Sequence, residues 1–79
     1  MPRIVIKLRE ALEAYEARTG ERLTHDELAR LAGLSRSTLD SIASRRDYNP
    51  SLRVIEQICV VLRCAPGDLL AMSFEERND

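Results

Sequence analysis

The chain has 79 residues, a net charge of −1, 44% hydrophobic and 32% charged residues. That balance belongs to a folded globular chain rather than a disordered one, and the length allows one domain, residues 1–79. No apolar run is long enough to span a membrane and the N-terminus does not read as a signal peptide, so the expected location is cytoplasmic.

With one Phe, two Tyr and no Trp, the core must be built from Leu, Ile, Val and Ala. Arg3 to Leu8 alternates weakly and is rich in β-branched residues, which favours a short strand. From Lys7 to about Thr19 the spacing predicts a helix with Leu8, Ala11, Leu12 and Tyr15 on one stripe, ended by Gly20. Thr24 begins a second helix. Glu27, three residues on, can reach back to the N–H of Thr24 in a capping box, and Leu28, Ala29, Leu31 and Ala32 give the apolar face to residue 32. Gly33 suits the left-handed residue that closes such a helix. Ser35 caps a third helix, to Ser44, with Leu39, Ile42 and Ala43 as its apolar positions.

Arg45 to Pro50 reads as a loop, because Asp47, Asn49 and Pro50 are turn formers and the Asn-Pro step disfavours helix before it. Ser51 caps a fourth helix running to about Arg63. Leu52, Ile55, Cys59 and Leu62 make one apolar face; Val54, Ile58 and Val61 make a second. A helix apolar on two faces is usually buried on both, and in so small a protein a partner subunit is one source of the second burial. Pro66 opens a last helical turn, after which Leu69, Leu70, Met72 and Phe74 carry apolar character into the tail.

Two helices joined by a three- to four-residue turn containing Gly form a helix-turn-helix, here over residues 24–44. In versions that bind DNA the second helix enters the major groove with its first residues at the base edges. Those residues are Arg36, Ser37 and Thr38, all able to hydrogen-bond. A guanidinium fork can bond guanine O6 and N7 together, which makes Arg36 the leading base-reading candidate. The competing reading gives Arg36 to a phosphate or to solvent, in which case its loss weakens binding to all sequences alike. Charge distribution favours DNA more than the net charge does. From Arg36 to Arg53 four Arg oppose Asp40 and Asp47, while Glu10, Glu13 and Glu16 and the terminal Glu75, Glu76 and Asp79 lie elsewhere. The plainer reading makes them ordinary solvated charges.

The order of these elements over Lys7 to Leu70 resembles the small stand-alone members of the Cro/lambda-repressor-type (Xre) family of regulators. Ala29 and Gly33 match the family's small residue and its Gly four positions later; Leu28, Leu34, Leu39 and Ile42 match its hydrophobic positions. The tail Cys64-Ala65-Pro66-Gly67-Asp68-Leu69-Leu70 is similar too. The chain departs from the pattern where Glu-Asn-Gly commonly closes the recognition helix and Ala43-Ser44-Arg45 stands instead.

The resemblance implies an all-α fold: a compact bundle of about five short helices, to which small members add a pairing of terminal strands. Residues 3–7 and 71–74 are the segments for that pairing here. It also implies that Ser37 and Ser41 face the groove and that His25, at the start of the first motif helix, lies against the DNA backbone. Arg45, Arg46 and Asn49 are further phosphate candidates; such contacts fix register without reading sequence. Asp26 and Glu27 stabilise the helix start but oppose close phosphate approach.

The implied partner is double-stranded DNA, bound by a homodimer acting as a transcriptional regulator, a repressor by occupying its operator. A protein-interaction module on the same fold, such as the antitoxin of a toxin–antitoxin pair, is the alternative, since fold does not fix function. No enzymatic activity is expected: with one His, no phosphate-binding Gly loop and no nucleophile paired with a base, catalysis lacks its parts. No cofactor is implied, and no metal. Cys59 and Cys64 lack zinc-site spacing and read as buried free thiols, and consecutive residues such as His25-Asp26-Glu27 point in different directions.

Overall fold

The computed structural model describes residues 2–45 and 48–74. Among them five helices and two strands run in the order β1 (Arg3–Ile6), α1 (Leu8–Thr19), α2 (His25–Ala32), α3 (Arg36–Ser44), α4 (Leu52–Leu62), α5 (Pro66–Leu69) and β2 (Leu70–Ser73). The helical bundle and the terminal strand pairing are both present; β1 begins at the expected residue and ends one residue sooner, and β2 is set one residue earlier than the sequence suggested. The Lys7 N–H donates to the carbonyl of Leu69 (2.7 Å) and Lys7 already caps α1, so β1 stops at Ile6. Leu70 leaves α5 in extended conformation and so begins β2.

The strands pair antiparallel with Ile4 opposite Met72 and Ile6 opposite Leu70. Opposed residues share a face of the sheet, so this face runs from buried Ile6 outward to exposed Ile4 and Met72.

Helix ends follow the local chemistry. Gly20 and Gly33 close α1 and α2 with φ of 77° and 71°, the left-handed region that glycine enters without a Cβ penalty. Arg63 closes α4 in the same region at φ 53° despite its side chain. α3 ends differently. Arg45 is extended and its N–H donates to the Ser41 carbonyl (3.0 Å), so the Ala43-Ser44-Arg45 segment terminates the helix without a left-handed residue.

The core gathers Leu28 and Ala29 of α2, Leu39 and Ile42 of α3, and Ile55, Ile58, Cys59 and Leu62 of α4, closed by Ile6, Leu8, Ala11 and Leu69. Three expectations change. Ile58 is fully buried and Val54 and Val61 pack against the same core, so this second stripe of α4 is covered by the chain itself rather than left for a partner. Leu52 starts α4 one turn ahead of its first buried residue and stands 83% exposed; Leu31 and Ala43 also lie outside their helices' buried faces. Cys64 is half-buried, while Cys59 is buried; both thiols are free.

Candidate nucleic-acid interface

Each motif helix is anchored at its N-terminus. Thr24 Oγ1 accepts from the Glu27 N–H (3.1 Å), and Glu27 Oε1 accepts from the Thr24 N–H and hydroxyl (both 3.0 Å), completing the capping box. These bonds, the backbone one first, hold the Glu27 carboxyl below its usual range. At the start of α3, Ser35 Oγ accepts from the Thr38 N–H (3.0 Å) and donates to Thr38 Oγ1 (2.9 Å). Thr38 therefore serves the cap of α3 and is half-buried, the least outward of the four groove candidates' first three.

Leu39 and Ile42 are 0% and 1% exposed, which fixes how α3 is turned. Its opposite side carries exposed Ser37 and half-buried Ser41, one turn apart, while exposed Arg36 stands at the edge between that side and the buried one. The Arg36 guanidinium is held from two directions. Its Nε donates to Asp40 one turn along α3 (2.8 Å), and its Nη1 donates to Asp26 in the first turn of α2. The bonds to Asp40 and then Asp26 raise the Arg36 pKa above its ordinary value, so the charge is secure.

His25 is half-buried and lines, with Arg36, a groove of about 550 Å³ between α1 and the starts of α2 and α3. Arg9 and Arg22 line the same groove and were not expected from the sequence as site residues. Glu13, Glu16 and Asp26 line it too, so acids of α1 expected away from the basic face stand beside Arg36 because α1 packs against the starts of α2 and α3. Arg22 carried a signal, a cation two residues before a helix cap; Arg9 carried none, because nothing local turns the first helix toward the motif. Beyond α3, Arg45 is exposed with its guanidinium 5.7 Å from the centre of the Tyr48 ring, a cation–π contact that steadies it, and Asn49 is exposed nearby in sequence. Arg46, the remaining phosphate candidate, lies outside the described residues. The structure thus brings His25 and Arg36 to one groove and puts Ser37 and Ser41 together on the outward face of α3, with Arg36 at its edge. Arg45 and Asn49 belong to the loop that follows.

α3 can offer hydrogen-bonding side chains to base edges, and the Arg side chains beside it, interleaved with the carboxylates of Glu13, Glu16 and Asp26, can hold phosphates. Among the described residues no helix is long and apolar enough to cross a membrane, and no group of three or more His, Cys, Asp or Glu is gathered as for a metal ion. Residues 20–75 match the family of Cro/C1-type HTH DNA-binding domains. Comparison with curated proteins yields no match.

Proposed function

The chain belongs to the Cro/C1-type helix-turn-helix DNA-binding family, and on that premise we propose that it is a sequence-specific transcriptional repressor. It sets α3 in the major groove of double-stranded DNA and acts as a homodimer on an inverted repeat. Arg36, Ser37, Thr38 and Ser41 read bases; His25, Arg45, Arg46 and Asn49 hold phosphates. The observation that carries this reading is the orientation of α3: Leu39 and Ile42 are sealed in the core while Ser37 stands in solvent on the other side and exposed Arg36 flanks it. Repression is steric, by occupancy of the operator.

Dimerisation is supported by the apolar residues left outside the core. Ile4, Met72 and Phe74 are 60%, 51% and 69% exposed at the end of the terminal sheet. Two-fold symmetry makes the operator an inverted repeat with half-sites about 34 Å apart or a multiple of it. The same exposed residues support the second reading, an antitoxin-like module whose main contact is another protein. Salt separates the two: phosphate binding weakens steeply as counterions are added, and an apolar protein contact does not.

The test is selection of bound sequences from a random duplex library near physiological salt, with Arg36→Ala beside the wild type. An enriched inverted repeat, relaxed at one base pair per half-site in the variant, is the expected result. Uniform weakening in the variant gives Arg36 to a phosphate, and absence of enrichment by the wild type overturns the reading.

A further inference from the structure

Arg36 is flanked by two carboxylates, an arrangement that at first sight opposes DNA binding. Asp26 and Asp40 add negative charge where phosphates must approach, in a chain whose net charge is already −1. Yet the pairing does not exhaust the guanidinium. Of its five N–H donors, one on Nε goes to Asp40 and one on Nη1 to Asp26. Both donors on Nη2 and the second on Nη1 remain, and guanine O6 and N7 need two parallel donors.

The two acids come from different helices. Asp40 shares α3 with Arg36, while Asp26 reaches from the first turn of α2. A long side chain with several rotatable bonds is thereby fixed along two directions, and its fork is ordered before DNA arrives. A side chain ordered in advance loses less freedom on binding. A free Arg at the same place would bend to whichever phosphate was near, because phosphates accept the same fork.

Resting on the repressor reading above, we infer that Asp26 and Asp40 are specificity-determining positioning residues: they present the Arg36 fork to a guanine and withhold it from the DNA backbone. Their charges repel every duplex alike, whereas the ordered fork contributes where guanine is present. The pair therefore lowers general affinity and raises discrimination.

The experiment compares wild type, Asp26→Asn, Asp40→Asn and the double variant on three duplexes: the sequence recovered by selection, the same sequence with the Arg36-dependent base pair replaced, and an unrelated duplex. In the double variant, discrimination at that one base pair is expected to fall roughly tenfold, while affinity for the unrelated duplex rises and preferences elsewhere in the site stay as they were. Nitrogen-15 relaxation of the Arg36 Nε–H in the free protein gives a second readout, rigid in the wild type and mobile in Asp40→Asn. Tighter binding to all three duplexes with discrimination unchanged or increased overturns the inference and makes the acids simple competitors for Arg36, as does an Arg36 Nε–H equally mobile in both proteins. Failure of the wild type to prefer any sequence removes the repressor reading and the inference with it; failure of the variants alone leaves that reading standing.

Discussion

Asp26 and Arg36 are ion-paired across the turn of the motif, joining the first turn of α2 to the first turn of α3. Each sits at a helix N-terminus, the positive end of the helix dipole. The place suits Asp26 and disfavours Arg36, so the pair offsets at α3 what the dipole costs. Both side chains are at least half exposed, at 50% for Arg36 and 78% for Asp26. Water screens such a pair, and its share of folding stability is small. Asp26→Asn is expected to leave the urea midpoint essentially where it stands in the wild type. A large drop would mean the pair holds the two helices together.

The Thr24–Glu27 box should matter more. Thr24→Ala removes the acceptor for the Glu27 N–H and the hydroxyl donor to Glu27 Oε1 while the backbone N–H of residue 24 still holds the carboxylate, at a cost of about 1 kcal/mol in denaturant unfolding. The pH dependence has a definite sign. The folded-state pKa of Glu27 lies below its ordinary 4.5, so the wild type holds this contribution above pH 4.5 and loses it as pH falls through the lowered value. Glu27→Gln has no carboxylate to titrate and should flatten that part of the acid limb, and an unchanged limb would show that acid unfolding is driven by other groups.

Much of this was legible because it is local. A cap, a glycine or a stripe at helical spacing acts within four residues, and the motif from Thr24 to Ser44 is built from such signals. Arg36–Asp40 was open to the same reasoning, being one helical turn apart. Asp26 as a partner of Arg36 was not, since ten residues and a turn separate them and their approach depends on the angle between α2 and α3. The α4 surface failed for a related reason. Its second stripe reads as apolar from sequence, yet whether the chain or another subunit covers it is decided by how the other helices pack around it.

Arg63 offers a stabilising change. It closes α4 at φ 53°, a conformation that brings the Cβ of an L residue against its own backbone. Arg63→Gly removes that strain, and the extra freedom glycine gives the unfolded chain takes back part of the gain. A net increase of roughly 0.5 kcal/mol is expected, read as a higher urea midpoint with unchanged slope. A decrease would mean the Arg63 side chain contributes contacts worth more than the strain.

The exposed end of the terminal sheet is where the proposed dimer can be weakened without harming the fold. Met72 is half exposed and lies opposite Ile4, so Met72→Glu puts a charge on an apolar surface rather than in the core. Sedimentation equilibrium should show at least tenfold weaker self-association with circular dichroism unchanged. Operator affinity should fall with it, because half-sites are then bound singly. Unchanged association would move the interface away from the sheet.

Cys59 gives a second pH dependence, opposite in direction to that of Glu27. Burial first, and the neighbouring Cys64 thiol second, push it from an ordinary 9.0 up to about 11. The folded protein therefore keeps this proton where the unfolded chain releases it. Up to about pH 9 both states hold the proton and the contribution is intact; between pH 9 and 11 the unfolded chain alone ionises and stability falls, by on the order of 1–2 kcal/mol. Cys59→Ala has no thiol to ionise there, so its unfolding free energy should decline less over this interval than that of the wild type. The same protonation predicts slow alkylation of Cys59 at pH 8 in the native state and fast alkylation in urea, because the thiolate is the nucleophile. Equal slopes for the two proteins, or native alkylation as fast as in urea, would mean that the thiol ionises in the folded chain at its ordinary value.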